Sequence, residues 1–137
     1  MNEELENKLY EDFPALFENR HKSAAESCMY WGVACGDGWY DLIHDLCSLI
    51  QNGESNARSR LKYENKDPNE FIPVKFDQIK EKFGGLRVYY SGGNDYIRGA
   101  ISMAEVMSYK ICEVCGNKGY PDKNGWISTL CDAHRKS

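Results

Sequence analysis

The feature that most limits how this chain can fold is a paired set of soft ligands near its C-terminal end. Cys112-Glu113-Val114-Cys115 is followed, after 15 intervening residues, by Cys131-Asp132-Ala133-His134. A CxxC turn places two thiolates on one side of a metal, and a CxxH turn supplies the other two ligands of a tetrahedron. Between the pairs, Gly116 to Trp126 contains three glycines and a proline, a turn-rich stretch long enough for a short hairpin. The pattern predicts one structural Zn²⁺ per chain, held by Cys112, Cys115, Cys131 and His134. Four protein ligands leave no position for a reacting water, so this ion is expected to hold structure and not to do chemistry. Modules of this kind bind DNA, RNA, protein or nothing, so the site constrains the fold more than the function.

The rest of the chain has to supply a core. It has 137 residues, 42% of them hydrophobic, with charges of both signs. That suits one α+β domain over residues 1–110, with a zinc-binding module over 111–137 packed on it. Cys28, Cys35 and Cys47 stand in no metal spacing and are odd in number, as expected of buried thiols in a reducing compartment. The N-terminal stretch is acidic and lacks the apolar run of a signal peptide, and no segment has the length of a transmembrane helix. These features predict a soluble cytoplasmic protein with no membrane partner. The net charge of −4 argues mildly against a general nucleic-acid binder. The charge is uneven, however. Up to Asn52 there are ten acidic residues against three basic ones, whereas bases outnumber acids over 53–90 and 110–137. An anionic ligand is therefore expected in the middle or at the C-terminal end.

The elements follow from periodicity. Leu9, Phe13, Leu16 and Phe17 read as core anchors of an N-terminal helical region, and residues 29–35 as a short strand. Trp39, Leu42, Ile43, Leu46, Leu49 and Ile50 recur at helical spacing, predicting a helix over 38–51 that Asn52-Gly53 ends. Residues 54–70 lack apolar periodicity and read as a mobile connection, with room for some helical extension. From Phe71 to Tyr90 the pattern is that of strands, its register broken once, which a bulge near Asp77–Gln78 repairs. Gly84-Gly85 reads as the two-residue turn of a hairpin. A further helix is expected over 95–109, capped by Asn94 or Asp95. The fold class is thus α+β: a small antiparallel sheet, packed helices, and a C-terminal module like a zinc ribbon or treble clef.

Two stretches look over-specified for packing. In Gly36-Asp37-Gly38-Trp39-Tyr40, glycines at a helix start would let a ligand approach free backbone N–H groups; the competing reading is a tight turn with Asp37 as helix cap. In Lys82-Phe83-Gly84-Gly85-Leu86-Arg87-Val88-Tyr89, a glycine turn stands among cations and aromatic rings, a combination that suits a nucleotide or single-stranded nucleic acid; the competing reading is an ordinary hairpin with solvated charges. Taken together, Gly36, Asp37, Trp39, Tyr40, Lys82, Gly84, Gly85, Arg87 and Tyr89 make one candidate ligand site, assembled within a chain or between the chains of a homo-oligomer. Asp41, His44 and Asp45 share a helical face but read as a solvated one, and no catalytic motif is present.

The strings Cys35-Gly36-Asp37-Gly38-Trp39-Tyr40-Asp41-Leu42-Ile43, Gln78-Ile79-Lys80-Glu81-Lys82-Phe83-Gly84-Gly85-Leu86-Arg87 and Gly125-Trp126-Ile127-Ser128-Thr129-Leu130-Cys131 resemble a group of small bacteriophage and prophage proteins without assigned function. The resemblance spans about Phe13 to His134 and implies phage origin and action inside an infected bacterium. The resulting expectation is a non-enzymatic, anti-defence binding protein. It would sequester a nucleotide-like anionic small molecule or block a host defence protein; the alternative is a zinc-ribbon nucleic-acid-binding accessory protein.

Overall fold

The computed structural model describes residues 1–122 and 125–135. Lys123 and Asn124, which fall between the two ligand pairs in sequence, and the last two residues of the expected zinc module lie outside the described residues. The architecture is α+β. Helix α1 (Glu3–Asp12) starts on Asn2, whose side chain accepts the Leu5 N–H. Strand β1 (Val33–Ala34) is followed by α2 (Tyr40–Tyr63), then β2 (Lys75–Lys82), β3 (Gly85–Ser91) and α3 (Asp95–Ser108). A second small sheet, β4 (Tyr120–Asp122) with β5 (Ser128–Leu130), belongs to the C-terminal module.

The main sheet has the order β1-β2-β3 and is mixed, not purely antiparallel. β2 and β3 form the expected hairpin, but β1 pairs with β2 in parallel, Val33 opposite Ile79. The cause is the connection: α2 lies between β1 and β2, and a helical crossover returns the chain in the same direction. The register shifts between Phe76 and Gln78, so a bulge at Asp77 keeps both Phe76 and Ile79 buried. The expected strand over 29–35 is shorter than its apolar run, because Cys28–Trp31 is a 3₁₀ turn.

Two boundaries differ from expectation for physical reasons. α2 runs ten residues past Gly53, to Tyr63, so the first part of the expected 54–70 connection is helix. Gly53 does not stop it: the glycine is buried, and a Cβ there would lie 2.9 Å from the Tyr96 ring. Packing of α3 across α2 outweighs the cost of about 1 kcal/mol for a mid-helix glycine. The hairpin turn is Phe83-Gly84, not Gly84-Gly85. Both turn residues have left-handed backbone, φ 53° and 82°, as a type I′ turn requires. Gly85 opens β3 instead, and a Cβ on it would meet the Tyr109 ring at 2.3 Å. From α3, Ser108 faces inward.

One core joins these parts. Leu9, Phe13, Leu16 and Phe17 are buried with Trp39, Ile43, Ile50, Phe76, Ile79, Leu86, Ile97 and Ile101. Acidic side chains close the sheet margins by accepting backbone N–H groups: Glu6 from Val33, Glu54 from Val74, Glu81 from Gly84, and Glu105 from Val88. On the outer edge of β3, Ser108 likewise accepts the Leu86 N–H. Among the described residues, no helix is long and apolar enough to cross a membrane.

Candidate metal centre and the basic face beside it

The chain leaves α3 through Tyr109 and enters the first ligand turn. Ile111 bridges to Lys118, Cys112 N–H donates to Asn117, and Gly116 N–H donates back to the Cys112 carbonyl at 2.9 Å. Gly116 has φ 82°, so the turn needs a residue without Cβ. β4 and β5 then deliver Cys131 to the 3₁₀ turn Asp132–His134. Arg135 fastens this hairpin: it pairs with Asp122 at 3.2 Å, donates to the Leu130 carbonyl and stacks 3.6 Å over the Tyr120 ring.

This folding gathers Cys112, Cys115, Cys131 and His134, whose ligand atoms all lie within 4.8 Å of one another. Cys115 Sγ is 3.7 Å from Cys131 Sγ, and His134 Nδ1 is 3.2 Å from Cys131 Sγ and 3.8 Å from Cys112 Sγ. Metal–sulfur bonds of about 2.3 Å imply tetrahedral edges of about 3.8 Å, so the cluster has the dimensions of a four-coordinate metal site. Its donor chemistry fits as well. Burial works to raise the Cys112 thiol, but backbone N–H groups of Cys131, Cys115 and Val114, with the Cys115 thiol, bring it down to about 6. A thiolate is the form that binds metal. Cys115 shifts upward: the Asn117 backbone lowers it, while burial and the other two thiols outweigh that effect.

The expected ligand residues around Trp39 are occupied by this module. Gly38 N–H donates to the Glu113 carbonyl at 2.8 Å, and a Cβ on Gly38 would stand 2.1 Å from the Cys112 carbonyl. Gly36 N–H donates to the Glu113 carboxylate, and a Cβ on Gly36 would meet the Glu113 carbonyl at 2.3 Å. Burial, then the nearby Glu81 charge, raises the Glu113 carboxyl. Trp39 is 0% exposed and its indole N–H donates to the Ile111 carbonyl. The backbone that closely approaches this turn is therefore the protein's own, and Trp39 presents no face to a ligand. Asp37 is not the helix cap: Gly36 caps the short 3₁₀ turn Asp37–Trp39, and Trp39 stands at the cap position of α2; the Asp37 carboxylate accepts both the backbone and side-chain N–H of Asn2. Tyr40 leans on His44, which in turn meets Asp12 at 2.9 Å.

The hairpin residues divide. Gly84 and Gly85 are buried under other side chains: Thr129 donates to the Gly84 carbonyl at 2.6 Å, and Tyr109 covers Gly85. Lys82, Arg87 and Tyr89 point outward. Arg87 is the cross-strand partner of Lys80, and Tyr89 that of Gln78. By the two-residue period of a strand, Lys80, Lys82, Arg87 and Tyr89 share one face. Among the described residues, none of these three cations is in an ion pair. The face is open. A cleft of about 510 Å³ lies elsewhere, between Arg60, Phe71 and Tyr96, and none of the nine expected ligand residues lines it.

The three strings that carry the sequence resemblance therefore meet at one junction. The first seats the Cys112 turn, and the second receives Thr129 and Ile127 of the third. Residues that sequence reasoning missed are Glu113, Thr129, Tyr109 and Arg135, which lock the module, and Lys80, which strand parity could have placed beside Arg87. No protein-family model matches the chain, and no curated protein or solved structure is significantly similar to it.

Proposed function

We propose that this is a non-enzymatic binding protein that takes single-stranded nucleic acid on the outer face of β2 and β3, with a structural zinc ion in the Cys₃His cluster. The observation behind this reading is the unpaired row Lys80, Lys82 and Arg87 beside exposed Tyr89. Adjacent cations meet successive phosphates, and an exposed ring stacks a base. An open sheet suits a strand better than a free nucleotide, which needs enclosure. The closed ligand set argues for a structural metal. Zinc, a borderline ion without geometric preference of its own, suits three thiolates and an imidazole at tetrahedral spacing. Its work is to hold the turn on which Gly36, Gly38 and Trp39 rest.

The test is fluorescence anisotropy with a labelled oligothymidylate over a range of salt. Three phosphate contacts give a log–log salt slope of about −2. Arg87→Ala makes the slope shallower by about 0.7, with little change in melting temperature. Tyr89→Ala weakens binding by about 1–3 kcal/mol and leaves the slope alone. Absence of binding at low salt, or a slope untouched by replacing all three cations, rejects the reading.

A further inference from the structure

Away from the basic face, α2 and α3 pack antiparallel and leave an apolar groove between them. It has a volume of about 440 Å³ and is lined by Leu42, Leu46, Leu49, Tyr96, Met103 and Met107, among others. Met103 is 60% exposed, Tyr96 57% and Leu49 44%. Gly99 on the same stripe has nothing within 4 Å of where a Cβ would be, so no contact within this chain requires glycine there. A mid-helix glycine costs about 1 kcal/mol against alanine, and this one leaves room for a backbone to come close.

We infer that this groove receives an amphipathic helix of a partner protein, one whose apolar stripe is flanked by lysine or arginine. Three observations favour this occupant. The channel between two antiparallel helices matches a third helix in shape, and its Tyr96-to-Met107 length, about 16 Å at 1.5 Å per residue, spans three turns. Met103 and Met107 are unbranched and repack around varied apolar anchors. The charge on the rim has one sign: Asp45 lines the groove, Asp41 lies one turn earlier, and among the described residues neither is in an ion pair. Among the described residues, no lysine or arginine lines the groove. A second copy of this chain would bring Asp45 towards its own equivalent near the middle of the contact. A basic helix meets the same rim with opposite charge.

The probe is a synthetic helical peptide of leucine and lysine with leucines at i, i+3, i+7 and i+10, set against the same peptide with glutamate for lysine. Calorimetry on the full-length, metal-loaded protein should show the lysine peptide binding at least tenfold more tightly. Met103→Lys should weaken the lysine peptide at least tenfold. Asp45→Lys should reverse the preference between the two peptides. Both positions are exposed, so melting temperature and metal content should hold; Gly99→Leu, whose Cβ meets nothing within 4 Å, serves as a second block of the groove. Equal affinity for the two peptides, or binding indifferent to Met103→Lys and Gly99→Leu, overturns the inference. So does sedimentation showing a dimer that Met103→Lys dissociates, since the occupant would then be a second copy.

Discussion

Gly38 gives its backbone N–H to the carbonyl of Glu113 across 2.8 Å, and the space where its side chain would stand is filled by the Cys112 carbonyl. One glycine thus joins the start of α2 to the first ligand turn. The contact is backbone to backbone, so neither partner can swing away as a flexible side chain would.

Gly38→Ala is therefore expected to be among the most damaging small substitutions. The added Cβ would sit 2.1 Å from the Cys112 carbonyl and 2.6 Å from the Gly116 nitrogen. Either the turn moves off α2 or the ligand geometry distorts. A loss above about 3 kcal/mol is expected, with reduced metal content. Chemical denaturation and elemental analysis of the same sample check it; wild-type stability would mean the junction is softer than its distances imply.

Metal removal should act at a distance through the same junction. Binding energy at a four-ligand site is available only to the folded chain. A chelator, or Cys115→Ser, should lower the melting temperature and free the Trp39 indole from the Ile111 carbonyl it bonds at 2.9 Å. Trp31 and Trp126 are already exposed, so the red shift of tryptophan emission on chelation should be much smaller in Trp39→Phe. An unchanged melting curve after complete metal removal would contradict the structural role.

These two predictions also show what was legible in the sequence. The ligand set was, because CxxC and CxxH are local patterns whose chemistry admits few readings. The hairpin, its bulge and the α3 cap were legible for the same reason: strand alternation and the Asn94 side chain act over a few residues. The direction in which Trp39 faces was not. Glycines beside an aromatic ring look alike whether the close neighbour is a ligand or a distant part of the chain, here more than 70 residues on. The continuation of α2 past Gly53 was hidden likewise, because Tyr96, which covers that glycine, lies in another element. Strand parity puts Gly85 on the same face as Arg87 and Tyr89; that Tyr109 covers this glycine was hidden, because Tyr109 lies in another element.

Alkaline pH should destabilise the protein in a defined window. Burial pushes the Cys35 thiol up to about 12 from 9.0 and the Tyr10 hydroxyl up to about 12 from 10.0, with Glu6 adding to the second. Burial raises Cys47 too. Each folded-state value lies above the unfolded one, so each stabilising contribution is whole below the unfolded value and is lost as pH rises towards the folded one. From about pH 9 upward the unfolded chain releases protons that the fold retains. Each such group then removes about 1.4 kcal/mol per pH unit. Urea midpoints at pH 8, 9.5 and 10.5 should fall progressively, and Cys35→Ala should flatten the decline by about one group's share. A flat profile from pH 8 to 10.5 would contradict the burial of these groups.

The last prediction concerns the acids that close the sheet. Glu54 is 7% exposed, and its carboxylate accepts the Val74 N–H at 2.8 Å just before β2 begins. That amide is buried and has no strand partner on this side, so the carboxylate stands in for a missing ladder carbonyl. Glu54→Ala removes the acceptor, leaves a buried N–H unsatisfied and opens a cavity at the α2–β2 contact. A loss of about 2–3 kcal/mol is expected. Glu54→Gln keeps an acceptor oxygen at the same reach and should lose less than half as much. Glu3→Ala, an exposed acid in the first turn of α1, should stay within about 0.5 kcal/mol of wild type. Hydrogen exchange separates this account from a general loss of packing: the Val74 amide should lose protection in Glu54→Ala and keep it in Glu54→Gln. If both variants exchange alike at Val74, the glutamate acts through its charge or its bulk, and the hydrogen bond is not what secures this margin of the sheet.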